Sequence, residues 1–165
     1  HDAQCIAGIA FSSGLLGIVH SMAHKTGAAF SGDHIIHGCA NAMYLGKVIQ
    51  FNAKDERAKS RYAFIAKDIL HLEGETEDEL VEALVQKIRD LNDALDIPQG
   101  IKNYGQYGVK ADESIIDYDE FEAKKSEVAA NAILDACTGS NPRIPTQEEM
   151  EQLLECVYTD TPVTF

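Results

Sequence analysis

At 165 residues the chain is long enough for one domain with a real hydrophobic core. Its 45% hydrophobic and 25% charged content argues against disorder, and no stretch approaches the roughly 18 uninterrupted apolar residues of a membrane span. A formal net charge of −13 repels phosphate backbones and anionic headgroups, so neither nucleic acid nor membrane is expected as a partner.

The chain opens His1-Asp2-Ala3-Gln4 and runs directly into Ile6, Ile9, Ala10 and Phe11 at helical spacing, with no export signal in view. This start reads as a cut inside or just before a helix, hence as a fragment of a longer polypeptide. From Ala3 to Phe30 there are no acids, so the segment is expected inside, as two buried helices broken near Ser12-Ser13-Gly14. Ser12 or Ser13 is placed to cap the second, and Gly27 to stop it after Lys25 or Thr26. A third buried helix is expected from His37 to Asn52, on Ala40, Met43, Tyr44, Val48 and Phe51. After Asp55 the pattern turns amphipathic, with Tyr62, Ile65, Ile69 and Leu72 on one face of a half-exposed helix.

Thr76 and Glu79 form a capping box ahead of Leu80, Leu84, Ile88, Leu91 and Leu95, a long helix ending before Pro98. A glycine-containing loop follows to Gly108. Asp117 with Glu120 is placed to cap a helix through Phe121, Val128, Ala129, Ile133 and Leu134, stopped by Thr138-Gly139-Ser140-Asn141-Pro142. A second capping box, Thr146 with Glu149, precedes Met150, Leu153, Leu154 and Val157, and the tail after Tyr158 is expected to be loose. No segment alternates apolar and polar residues, so the fold class is all-α, a helical bundle. Acids cluster at the starts of the later helices, where the helix dipole favours them, which accounts for much of the net charge as helix starts and solvated faces.

Four cysteines, Cys5, Cys39, Cys137 and Cys156, lie far apart without a C-x-x-C pair and are expected to be reduced, mostly buried thiols of a cytoplasmic protein. Cys39 reads as a small packing residue and His71 as a surface or packing residue. More informative is the placing of His20, His24, His34 and His37 within eighteen consecutive residues. His20 and His24, four apart, project from one face of a helix in an apolar, nearly uncharged segment that keeps imidazole neutral and able to donate to a metal. By spacing alone the pair could share an ion, but no carboxylate is near enough to complete a ligand set, and Ser21 stands where the metalloprotease pattern H-E-x-x-H has glutamate. No P-loop, Gly-x-Gly-x-x-Gly or Gly-x-Ser-x-Gly motif is present.

The strings Ala7-Gly8-Ile9-Ala10-Phe11-Ser12, Gly17-Ile18-Val19-His20-Ser21-Met22-Ala23-His24-Lys25-Thr26-Gly27 and His34-Ile35-Ile36-His37-Gly38-Cys39-Ala40-Asn41-Ala42 resemble the iron-containing (group III) alcohol dehydrogenases. The likeness is greatest to the alcohol dehydrogenase part of bifunctional aldehyde/alcohol dehydrogenases and to lactaldehyde reductases. Val48-Ile49-Gln50-Phe51-Asn52-Ala53 and Asp135-Ala136-Cys137-Thr138-Gly139-Ser140-Asn141-Pro142-Arg143 extend it across nearly the whole chain. Two departures stand out: Ser31-Gly32-Asp33 reads as an insertion, and Ile36 takes the place of a usual proline.

The resemblance implies that residues 1–165 are part of a C-terminal helical metal-binding domain whose N-terminal nucleotide-binding domain is absent from this chain. It implies Fe²⁺ or Zn²⁺ held by His20 and His37 together with an aspartate and a histidine on an earlier helix. His24 would lie beside the metal, facing nicotinamide and substrate, as a catalytic and cofactor-binding residue. The implied reaction interconverts small primary alcohols and aldehydes with NAD or NADP, the metal acting as a Lewis acid while hydride passes to or from nicotinamide. The isolated fragment is expected to be inactive, and self-association as a homo-oligomer is left open. Alternatives are a glycerol-dehydrogenase-like or dehydroquinate-synthase-like zinc enzyme domain, and a non-catalytic helical interaction module.

Overall fold

A computed structural model describes residues 1–27, 29–30 and 34–165, so the expected insertion Ser31-Gly32-Asp33 lies outside the described residues. Among the described residues seven α-helices follow in order: α1 (Asp2–Gly14), α2 (Ile18–Thr26), α3 (His37–Asn52), α4 (Glu56–Phe64), α5 (Glu77–Ala94), α6 (Tyr118–Ile133) and α7 (Gln147–Thr159). Among the described residues there is no strand, only one isolated antiparallel bridge between Tyr104 and Lys110, as the all-α expectation requires.

The later helices begin where local chemistry places them. Thr76 and Thr146 each accept a hydrogen bond from the backbone N–H three residues on, while Glu79 and Glu149 reach back to the cap, so both capping boxes are closed. Asp117 accepts from the N–H groups of Asp119 and Glu120 at the start of α6, and Asp55 from that of Ala58 at the start of α4. Helix α3 is central, packed against α2, α5 and α7, while α6 joins α2 to α7. Its Tyr44 and Phe51 are buried with Ile18, Met22, Phe121, Met150, Leu153 and Leu154 in the main core. Burying each such large side chain contributes about 1.5–3 kcal/mol. A second cluster, Ile49, Ala63, Ala66, Leu80, Val81, Leu84 and Val85, holds α4 and α5 to the other side of α3.

Four expectations are corrected. First, α1 forms but buries none of its residues, and Ile6 and Ile9 are 67% and 71% exposed. The chain turns by 101° between α1 and α2, through left-handed Leu15 (φ 62°) and Gly17 (φ 78°), which carries α1 away from the core. Apolar composition records a preference for burial without saying which surface supplies it. No single helix among the described residues is long and apolar enough to cross a membrane.

Second, Ser12 and Ser13 do not cap α2; their hydroxyls donate back to the carbonyls of Gly8 and Ile9. The cap comes from far along the chain. Ser140 Oγ accepts from the Gly17 N–H at 3.2 Å, and Asn141 Oδ1 accepts from the Ile18 N–H at 3.3 Å. Asn141 and Asn52 also exchange amide hydrogen bonds, which ties this cap to α3. A Cβ on Gly17 would stand 2.8 Å from Asn141 Oδ1 in a left-handed backbone. Gly17→Ala is therefore expected to destabilise the protein by about 2 kcal/mol, from the conformational penalty and the displaced cap, read as a lowered thermal midpoint.

Third, α4 continues as a π-helical turn over Ile65–Ile69, which breaks the expected register. Ala58, Ala63 and Ala66 become the buried positions, while Ile65 and Ile69 are exposed. Fourth, the tail is pinned rather than loose: Val163 is buried, its N–H donates to Gln50 Oε1, and Arg143 donates to the carbonyls of Phe51 and Phe165 while stacking on the Phe51 ring. Asp160, just past α7, takes Lys47 Nζ at 2.8 Å and both terminal nitrogens of Arg89 at 2.7 and 2.9 Å.

Candidate metal and cofactor site

Helices α2 and α3 bring three of the clustered histidines together. The ring centroids of His20 and His37 lie 5.2 Å apart, His20 and His24 5.9 Å, and His24 and His37 5.3 Å with the last two rings stacked. His20 is half-buried, His24 and His37 exposed, so the cluster opens on the surface of the bundle. His34, the fourth member by sequence, has Nδ1 3.1 Å from the Gly27 carbonyl, and His71 is exposed.

Each helix is held in place by buried polar contacts. Tyr44 of α3 donates from its hydroxyl to Thr26 Oγ1 at 2.8 Å, and Thr26 donates to the Met22 carbonyl, locking the end of α2 to α3. Full burial pushes the Tyr44 phenol far above its ordinary value, so this donor stays protonated. At the start of α3 the Tyr104 hydroxyl accepts from the Ile36 N–H at 2.8 Å and donates to the His34 carbonyl at 3.0 Å, which sets the backbone leading into His37. Sequence reasoning missed Tyr104, because its partners lie about seventy positions away.

The electrostatics at His20 suit a neutral imidazole donor. Burial first, then the neighbouring His37 and His24, lower the pKa of His20, with a smaller opposing pull from Asp135. One turn beyond His37, the Asn41 amide nitrogen lies 3.1 Å from His37 Nδ1, and the Asn41 carbonyl oxygen is enclosed without a hydrogen-bond partner. The same amide nitrogen lies 3.4 Å from His37 Nε2. The donor set therefore fits a borderline divalent ion such as Fe²⁺ or Zn²⁺.

Sequence reasoning also gave no role to Asp135, whose Oδ2 lies 3.2 Å from His24 Nδ1 and 3.0 Å from Lys25 Nζ. Burial would raise this carboxyl, but the Cys137 backbone N–H, Lys25 and His24 hold it well below the usual carboxylate range. His24, Asp135 and Cys137 offer three ligand atoms within 4.8 Å of one another. Lys25 already places a positive charge on that carboxylate, and burial raises the Cys137 thiol, so this trio is an ion-pair knot and a poor cation site. The cysteines are all unpaired; contrary to the expectation of mostly buried thiols, Cys5 on outward-standing α1 is exposed and the other three are half-buried. Cys39 packs toward the Gly108 carbonyl, its thiol pKa raised by burial, as a packing residue would.

Against known proteins, residues 1–158 match the C-terminal part of the Fe-containing alcohol dehydrogenase family. The chain is 50% identical over its full length to an NADPH-dependent butanol dehydrogenase of Clostridium saccharobutylicum, covering 38% of that protein. Over 96% of its length it is 36% identical to the bifunctional aldehyde-alcohol dehydrogenase AdhE of Escherichia coli (strain K12), covering 18% of it. The fold superimposes with a TM-score of 0.71 on an iron-containing alcohol dehydrogenase from Thermococcus thioreducens, at 31% identity, over 93% of this chain and 34% of that one. The chain thus spans little more than a third, or less, of each of these relatives.

Proposed function

The chain belongs to the iron-containing alcohol dehydrogenase family as its C-terminal part, and we propose that it serves a metal-dependent NAD or NADP alcohol dehydrogenase acting on small primary alcohols and their aldehydes. The observation that carries this reading is the convergence of three imidazoles from two helices on one open face, with centroids 5.2 to 5.9 Å apart.

Within that reading His20 and His37 hold the metal, and the remaining ligands and the nucleotide-binding domain come from protein outside residues 1–165. One feature supports this division: His24 is drawn toward Asp135, with Nδ1 3.2 Å from Oδ2. His24 then faces substrate and nicotinamide. When bound, the metal polarises the substrate oxygen as a Lewis acid and the nicotinamide carries hydride. This chain contributes neutral imidazole donors, a rigid α2–α3 frame that fixes their spacing, and at His24 a ring placed to hold or pass the proton that leaves or joins the substrate hydroxyl. On this reading residues 1–165 alone are expected to be inactive.

Chelation of the full-length protein is expected to abolish alcohol-dependent reduction of NAD or NADP, and Fe²⁺ or Zn²⁺ to restore it. An undiminished rate in protein shown to be free of metal would overturn the reading.

A further inference from the structure

The segment from Asp135 to Asn141 forms a ladder along one face of α2. Ser140 and Asn141 accept from the backbone N–H groups of Gly17 and Ile18, Thr138 Oγ1 donates to Ser21 Oγ at 2.7 Å, and Asp135 takes His24 Nδ1 at 3.2 Å with Lys25 Nζ at 3.0 Å. Residues 17, 18, 21, 24 and 25 recur at helical spacing, so one loop grips the helix that carries two of the three clustered histidines from end to end. Asp135 is itself aimed: its Oδ1 accepts the Cys137 backbone N–H at 3.0 Å, and its side chain is 11% exposed. Thr138 is likewise fixed, its single hydroxyl hydrogen shared with the Ala132 carbonyl at 2.7 Å.

We propose that Asp135 is the positioning residue for His24, selecting for the neutral ring the tautomer with hydrogen on Nδ1. A carboxylate accepts hydrogen bonds and does not donate them, so a contact between Asp135 Oδ2 and His24 Nδ1 requires the hydrogen on that nitrogen. Lys25, on the same oxygen, keeps the acceptor charged and leaves the contact dependent on direction as well as on charge. The functional consequence rests on the placing of His24 at substrate and nicotinamide given above; the tautomer itself does not.

The test uses the full-length protein in its zinc-loaded, diamagnetic form, with ¹⁵N-labelled histidine. Wild-type His24 should show the imidazole pattern of a protonated Nδ1 and an unprotonated Nε2. The reverse pattern in wild type overturns the proposal without recourse to any variant. In Asp135→Asn the pattern should shift toward the Nε2–H tautomer, with kcat falling about tenfold or more, KM for the alcohol within about twofold, and metal content unchanged. Asp135→Glu should recover part of both the tautomer signature and kcat. Thr138→Val, which removes the middle rung, should lower thermal stability and leave the tautomer alone. An unchanged His24 pattern in Asp135→Asn overturns the proposal and leaves Asp135 a structural ion pair. A shifted tautomer with full turnover upholds it and sinks instead the catalytic placing of His24.

Discussion

In the full-length protein, His20→Ala is expected to lose metal and turnover together, whereas His24→Ala keeps its metal and loses turnover. The contrast follows from two side chains one helical turn apart meeting different partners. His20 stands 5.2 Å from His37 between rings, half-buried, with its protonated form disfavoured by burial and by the two neighbouring histidines. Truncating an outer partner of a metal ligand commonly costs about 10–100-fold in metal affinity, so with His20 a ligand, as proposed, its removal should exceed about 100-fold. His24 is instead drawn toward Asp135. Its loss should cost about 10²–10⁴-fold in kcat, the range of a positioned acid or base. Metal content and kcat measured on both purified variants decide the matter. Equal metal loss in the two would make His24 a ligand and remove the assignment of His37.

The largest effect on stability is expected at Asp160. Its carboxylate is the shared partner of Lys47, almost wholly enclosed, and of Arg89. Asp160→Ala leaves the Lys47 ammonium buried without compensation, which should cost about 3 kcal/mol, read as a lowered urea midpoint at constant slope. Burial alone would raise the Asp160 carboxyl, but the hydrogen bonds from Arg89 and Lys47 outweigh it and hold the group below its ordinary value. The folded protein therefore binds fewer protons here than the unfolded chain does. The stabilisation is complete above the ordinary carboxylate range and is lost as pH falls below that range through the depressed folded value. Asp160→Asn should flatten this part of the acid-unfolding curve; an unaltered acid limb would show that the pair contributes nothing to it.

What could be read from the sequence was what depends on near neighbours. The capping boxes at Thr76 and Thr146 are closed by residues three positions away, and the helices behind them follow the 3.6-residue period, so both appear as expected. The bend at Leu15 to Gly17, the π-helical turn after Phe64 and the pinned tail depend on partners the local pattern does not name. Apolar spacing on α1 was read as burial because hydrophobicity carries no address. In the site, the face shared by His20 and His24 was legible from their spacing, and His37 from its place in the histidine cluster, whereas its role as a ligand came only through the resemblance. Asp135 was within a motif already singled out, yet 111 residues separate it from His24, and nothing between them signals the contact.

The remote cap on α2 also sets an order of events during synthesis. A helix of nine residues is shorter than the roughly 12–15 that hold together unaided in water, and the groups that complete its first turn lie 123 residues downstream. At about 5–20 residues per second the ribosome needs on the order of 6–25 s to deliver them. Until then His20 and His24 travel on a segment with no fixed spacing, and whatever ion they meet in that interval meets an unformed site. On the proposed reading, selection of a metal would accordingly be a property of the finished molecule, exercised after the last helix has closed over α3.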